Sequence, residues 1–141
     1  MTANEPLIEL LTAAGRFVRL AGGLTTSDQP HAVVRALAIL DENGELRITE
    51  FARLDRSSQP AATTLIGRLA DRGFVERRKD PSDSRAVVVG LTELGRTQLN
   101  EARRAAGKAL APYIGDVDER EIADALAGLN RLNEALGRNK R

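Results

Sequence analysis

The chain has 141 residues, enough for one domain with a real core, and its 21 basic and 20 acidic side chains leave a net charge of +1. It contains no cysteine, which excludes a disulfide framework, a thiolate metal site and thiol-based redox sensing. No apolar run approaches the ~20 residues of a membrane helix and the N-terminus has no basic-then-apolar leader pattern, so a soluble cytoplasmic protein without a membrane partner is expected.

From Leu7 to Ala21 the residues Leu7, Leu10, Leu11, Ala14, Phe17, Val18 and Ala21 recur at helical spacing, and Gly22–Gly23 is expected to end that helix. A polar stretch, TTSDQP, follows, with Pro30 suited to the first turn of a second helix. This second helix carries Val33, Val34, Leu37, Ile39 and Leu40 and stops at Glu42–Asn43–Gly44. A short element comes next, with Thr49 as its expected N-cap and Phe51, Ala52 and Leu54 inward; Arg56–Ser57–Ser58 makes the turn after it.

The next helix spans about Gln59 to Arg72. Ala62, Leu65, Ile66 and Leu69 fall at i, i+3, i+4 and i+7 and define its buried face. Gln59, Pro60, Thr63, Thr64, Gly67 and Arg68 point the other way. Gly73 is placed for the left-handed C′ position, with Phe74 supplying the apolar contact that accompanies it. Val75–Arg78 and Ala86–Leu91 read as two strands joined by an Asp/Pro/Ser turn. Beyond Thr92 the helical pattern returns in Leu94, Leu99, Ala102, Ala106, Leu110 and Tyr113, breaks at Gly115, and restarts at Asp118 with Glu121, a capping-box arrangement. In the last helix Ile122, Ala125, Leu129, Leu132 and Leu136 form a short a/d seam.

The expected fold is therefore mainly α with a small β-hairpin: a winged helix-turn-helix over residues 30–91, flanked by long N- and C-terminal helices at 5–23 and 92–138, in a single domain covering 1–141. A unit this small has too little core to bury both terminal stripes. A second copy would cover them, and a homodimer also suits duplex DNA, whose major groove returns to one face every ~34 Å.

Double-stranded DNA is the expected partner because polar and basic groups collect at one place. Residues 56–85 hold seven basic and four acidic side chains, whereas the first 44 residues hold three basic and five acidic. Ser57 and Ser58 stand at the start of the exposed helix, where free N–H groups favour a phosphate and where either serine can also cap the helix. Gln59 can offer a bidentate amide to adenine, and Thr63 and Thr64 can donate, accept, or lay a methyl on thymine. Pro60 and Ala61 can only pack, Arg68 is placed for phosphate, and Arg85 on a thin hairpin suits the negative potential of a narrow minor groove. Asp83, two residues before Arg85, fits if it fixes the guanidinium or caps the turn.

One histidine, no cysteine and no GxxxxGK[ST] or GxGxxG sequence leave little for an enzyme, and no metal or other cofactor is expected. A winged helix that has become a protein-interaction module is the other reading, and the retained Arg68, Arg85 and helix-start serines argue against it.

The segment GFVERRKDPSDSRAVVVGLTELG resembles the wing of the multiple antibiotic resistance regulator (MarR) family, in Gly73, Val75 with Arg77, Asp83 with Arg85, and Leu91–Thr92 with Gly95. The resemblance implies a homodimer built from the first and last two helices, with Arg77 and Asp83 joining the DNA-binding set. It implies a winged unit on each protomer that reads half of a pseudo-palindrome, and in many relatives repression relieved by a small ligand. Such a ligand cleft would draw on Phe17, residues 24–31 including His31, Leu37 and the helices near the hairpin; no ligand-binding residue is assigned. Two positions depart from the family pattern. Thr64 stands where relatives often carry a basic residue, and Gly67 interrupts the recognition helix at roughly 1 kcal/mol relative to alanine, so either the operator differs or a close approach needs the missing side chain.

Overall fold

The computed structural model describes residues 4–25 and 28–138. Its elements are α1 (Asn4–Leu24), α2 (His31–Asn43), β1 (Leu46–Arg47), α3 (Ile48–Asp55), α4 (Gln59–Asp71), β2 (Val75–Asp80), β3 (Asp83–Leu91), α5 (Glu93–Leu110), a 3-10 turn at Ala111–Tyr113, and α6 (Glu119–Arg138). The helix-turn-helix is α3 and α4, and the wing is β2 and β3.

The core lies under α2, α3, α4 and the sheet. Phe51, Leu37, Leu40, Ile66, Leu69 and Val89 are sealed there, joined by Leu99 from α5. Asp55 is the buried charged side chain among the described residues. It is met by Arg35 Nε at 2.9 Å, which ties the end of α3 to α2 and spares the carboxylate the cost of burial without a partner.

The sheet has three antiparallel strands in the order β1-β3-β2, not the two of the sequence reading. Leu46 pairs with Val89 and Arg47 with Val88, while β2 and β3 run in register from Val75–Leu91 to a bulge between Lys79 and Asp80. A two-residue strand carries no periodicity of its own, so β1 exists only because β3 offers it a partner. The hairpin strands are also longer than expected and leave Pro81 and Ser82 at the tip.

Three local expectations need correction. Gly22 and Gly23 do not end α1, which continues to Leu24. Pro30 precedes α2 in an extended conformation instead of sitting in its first turn. Thr49 lies inside α3, whose N-cap is Arg47. The polar stretch before α2 includes Thr26 and Ser27, which lie outside the described residues.

Where α4 ends, the expected glycine cap forms: Gly73 has φ +77°, its N–H bonds Ala70 O at 3.0 Å, and the Phe74 N–H bonds Leu69 O at 2.9 Å. The chain returns to this point at Thr92. Its hydroxyl donates to Gly73 O at 2.6 Å and accepts from the Gly95 N–H at 3.1 Å, capping α5, while its own N–H bonds Phe74 O. The Leu-Thr-x-x-Gly sequence thus fastens α5 to the root of the wing. At the start of α6, Asp118 Oδ1 accepts from the Arg120 N–H and Glu121 from the Asp118 N–H, the expected capping box.

Candidate nucleic-acid interface

The turn into α4 is built for an exposed helix start. Arg56 takes the left-handed conformation with φ 56°, Ser57 N–H bonds Ala52 O, and Ser58 Oγ accepts from the Ala61 N–H at 3.2 Å. The two serines differ. Ser58 is an exposed N-cap, whereas Ser57 turns its hydroxyl inward, enclosed and without a hydrogen-bond partner among the described residues.

Burying Ala62, Ile66 and Leu69 leaves Gln59, Pro60, Ala61, Thr63, Thr64 and Arg68 exposed on the far side of α4. The Thr64 hydroxyl donates back to Pro60 O at 3.0 Å, so its free capacity is as an acceptor. Arg68 makes no ion pair among the described residues. Arg77 crosses from β2 toward α4: its Nη1 lies 3.9 Å from where a Cβ on Gly67 would stand.

The wing is braced by its own carboxylates. Asp83 Oδ1 accepts from the Arg85 N–H at 3.0 Å and lies 3.6 Å from Arg85 Nε, so it both shapes the turn and steadies the guanidinium. The Arg85 side chain remains 93% exposed. Asp80 is held more firmly. Its Oδ1 accepts from the N–H and hydroxyl of Ser82 at 2.9 and 2.8 Å, and its Oδ2 from Arg47 Nε at 2.7 Å. Hydrogen bonds from Ser82, then from Arg47, lower its pKa to about 2. Just before β1, Glu45 forms a two-pronged pair with Arg78 of β2; the Arg78 hydrogen bond holds the Glu45 carboxyl below its ordinary value and the pairing raises Arg78. Arg72 is engaged otherwise, lying 4.5 Å above the Phe74 ring.

The wing and α4 face each other across a groove of about 240 Å³. Gln59 and Thr63 line it from the helix, Arg85 and Val87 from β3, and Arg47 with Thr49 from the start of α3. Three residues expected to read DNA thus share one concavity. Arg47 and Thr49 were missed as members of this surface; the sequence hint was the polar–apolar alternation of Glu45–Ile48, too short to stand out.

A second concavity lies between α1, α2 and α5. One part, of about 230 Å³, is lined by Val18, Thr25, Gln29, His31, Val34 and Ala106 among others, and a neighbouring opening reaches Arg19, Arg35 and Ala38. Gln29 and His31 fall inside the segment expected to line a cleft. Phe17 does not line it, being exposed elsewhere on α1, and Leu37 is sealed in the core. No group of three or more potential metal-ligating side chains comes together among the described residues, and no described helix is long and apolar enough to cross a membrane.

A helix-turn-helix with a flanking hairpin, a polar outward helix face and an exposed arginine near the hairpin tip define a winged helix-turn-helix protein of the DNA-binding class. The sequence profile of the MarR family matches residues 31–87. The HTH-type transcriptional regulator Mb0904 of Mycobacterium bovis is 35% identical over 96 residues, covering 67% of each chain. The chain belongs to the MarR family of DNA-binding transcriptional regulators, which are not enzymes. Two solved structures share the fold over almost the whole chain. RV1404 of Mycobacterium tuberculosis is 18% identical, with a TM-score of 0.71, covering 97% of this chain and 96% of its own. BpsR of Bordetella bronchiseptica, whose DNA binding is regulated by 6-hydroxynicotinic acid, is 23% identical, with a TM-score of 0.60, covering 92% and 99%.

Proposed function

We propose that the protein is a cytoplasmic repressor that binds a pseudo-palindromic operator as a homodimer and leaves it when a small molecule binds. The observation that carries the reading is the groove shared by Gln59, Thr63 and Arg85, which sets a polar helix face and an exposed hairpin arginine side by side. That spacing of parts suits one helix in a major groove and one arginine in the neighbouring minor groove. Ser58, Pro60, Ala61, Thr64 and Arg68 extend the reading surface along α4, with Arg77 and Asp83 supporting the wing. Ser57 joins this set through its backbone, since its hydroxyl faces inward.

The dimer is supported by the terminal helices. Leu7, Leu11, Phe17, Leu20, Ile122, Leu126 and Leu129 are exposed, and neither α1 nor α6 buries a residue within the protomer. Two copies joined through these faces would offer two α4 helices to successive turns of one face of a duplex. Ligand control is supported by the concavity between α1, α2 and α5, which joins the terminal helices to the DNA-binding unit, and by the regulation of BpsR by a small aromatic acid. An effector there acts only through unequal affinity for DNA-competent and incompetent arrangements.

The test is selection of bound duplexes from a random library, with salt dependence measured for the enriched sequences. An inverted repeat with half-sites about one helical turn apart is the expected result. Steeply salt-dependent binding without enrichment would overturn operator reading and turn the search for a partner to proteins.

A further inference from the structure

A helix in the major groove and a hairpin in the adjacent minor groove straddle one sugar–phosphate strand, since a single strand separates the two grooves. In this protein the space between those two elements is the groove between α4 and β3. Only two of its lining residues are cationic. Arg85 lies on the wing, and Arg47 sits at the junction of β1 and α3.

Arg47 is held in place without being used up. Its Nε donates to Asp80 Oδ2 at 2.7 Å, and Asp80 is itself fixed by two hydrogen bonds from Ser82. The pair spans the sheet from its edge strand to the hairpin tip. Nevertheless, the Arg47 side chain is 48% exposed, and a guanidinium has five N–H donors, of which this bond takes one. A partly ordered arginine loses less freedom on gripping an anion than a loose one does.

Resting on the DNA-binding reading above, we propose that Arg47 is a further phosphate-contacting residue that holds the strand passing between recognition helix and wing, with Asp80 as its positioning residue. The site takes one backbone phosphate of duplex DNA and reads no base. Arg47 therefore adds affinity uniformly across sequences, unlike Gln59.

The experiment uses the full chain and the duplex enriched by selection, with single phosphates in each half-site neutralised in turn as methylphosphonates. Arg47→Ala is expected to weaken binding about tenfold and to lower the slope of log affinity against log salt by about one, with Arg47→Lys recovering part of both. One neutralised phosphate should weaken the wild type while leaving Arg47→Ala unaffected. Asp80→Asn should cost several-fold less in the Arg47→Ala background than alone, because its positioning role has gone. Circular dichroism and sedimentation of each variant should match wild type, keeping folding out of the comparison. Full affinity and an unchanged salt slope in Arg47→Ala overturn this proposal alone, as does equal sensitivity of both proteins to every neutralised phosphate. Failure of the wild type to enrich any duplex overturns the DNA reading, and this proposal with it.

Discussion

A Cβ on Gly95 would stand 2.1 Å from the Phe74 carbonyl oxygen and 2.8 Å from Leu91 Cδ1, so only glycine fits where α5 passes the root of the wing. Gly95→Ala is expected to cost about 3 kcal/mol, because the obstacle is backbone and cannot turn aside. Gly67 presents the opposite case. A Cβ there meets only Arg77 Nη1 at 3.9 Å, an ordinary contact, and the position is interior to α4. Gly67→Ala should therefore stabilise the chain by roughly 0.5–1 kcal/mol. Denaturant unfolding at matched protein concentration checks both signs. If Gly67→Ala gains stability yet loses operator affinity, close approach of DNA is the reason for the glycine. Arg85, by contrast, supports nothing in the fold beyond its own turn. Arg85→Ala should lower operator affinity about tenfold with the oligomer intact, while changing Gln59 should alter base preference at one position per half-site by ~1–3 kcal/mol. Fluorescence anisotropy against matched and mutated duplexes separates the two effects; unchanged affinity in Arg85→Ala would remove the wing from the interface.

The wing is held by charged contacts at its tip, Arg47 with Asp80 and Arg85 with Asp83. Asp80, with its carboxyl lowered to about 2 by Ser82 and Arg47, contributes order that is complete above its unfolded value near 3.8. That contribution is lost as pH falls from there through about 2, so acid should loosen the hairpin while the range from pH 5 to 9 leaves it unchanged. Amide hydrogen exchange at Ser82, in wild type and Asp80→Asn, measures this; in the variant the acid-dependent step should vanish. A loosening centred near neutral pH would show that some other group governs the wing. This dependence was hidden in the sequence because Arg47 and Asp80 are 33 residues apart and meet only when β3 brings β1 and β2 into one sheet. The Asp83–Arg85 contact, two residues apart, was legible for the converse reason.

At the scale of the molecule, α6 is a 20-residue helix in which only Leu132 is even half-buried. An amphipathic helix of that length gains little from propensity alone and needs a surface against its apolar face. Leu129, 44% exposed on the a/d seam, tests what covers it. Leu129→Glu should yield a monomer in sedimentation velocity, because a charge buried at an interface is costly and the protomer core does not involve this residue. The winged unit should stay folded, and operator affinity should fall about a hundredfold through loss of two-site binding. A dimer that survives Leu129→Glu and Leu126→Glu would place the interface elsewhere.

The sequence by itself determined the six helices and the two hairpin strands, the inward faces of α2 and α4, the glycine cap at Gly73, the capping box of α6, and the family. These follow from interactions within about four residues, where periodicity and cap chemistry are written directly into residue order. The exposed face of α4 was legible for the same reason, as the complement of a buried stripe. Only the tertiary structure decided the third strand, the inward turn of the Ser57 hydroxyl, the grip of Asp80 on Arg47, and the groove that brings the start of α3 between helix and wing. Each of these depends on residues far apart in the chain, or on which way a side chain turns when several directions suit its local backbone. Burial and strand pairing settle such choices, and no short-range pattern records them.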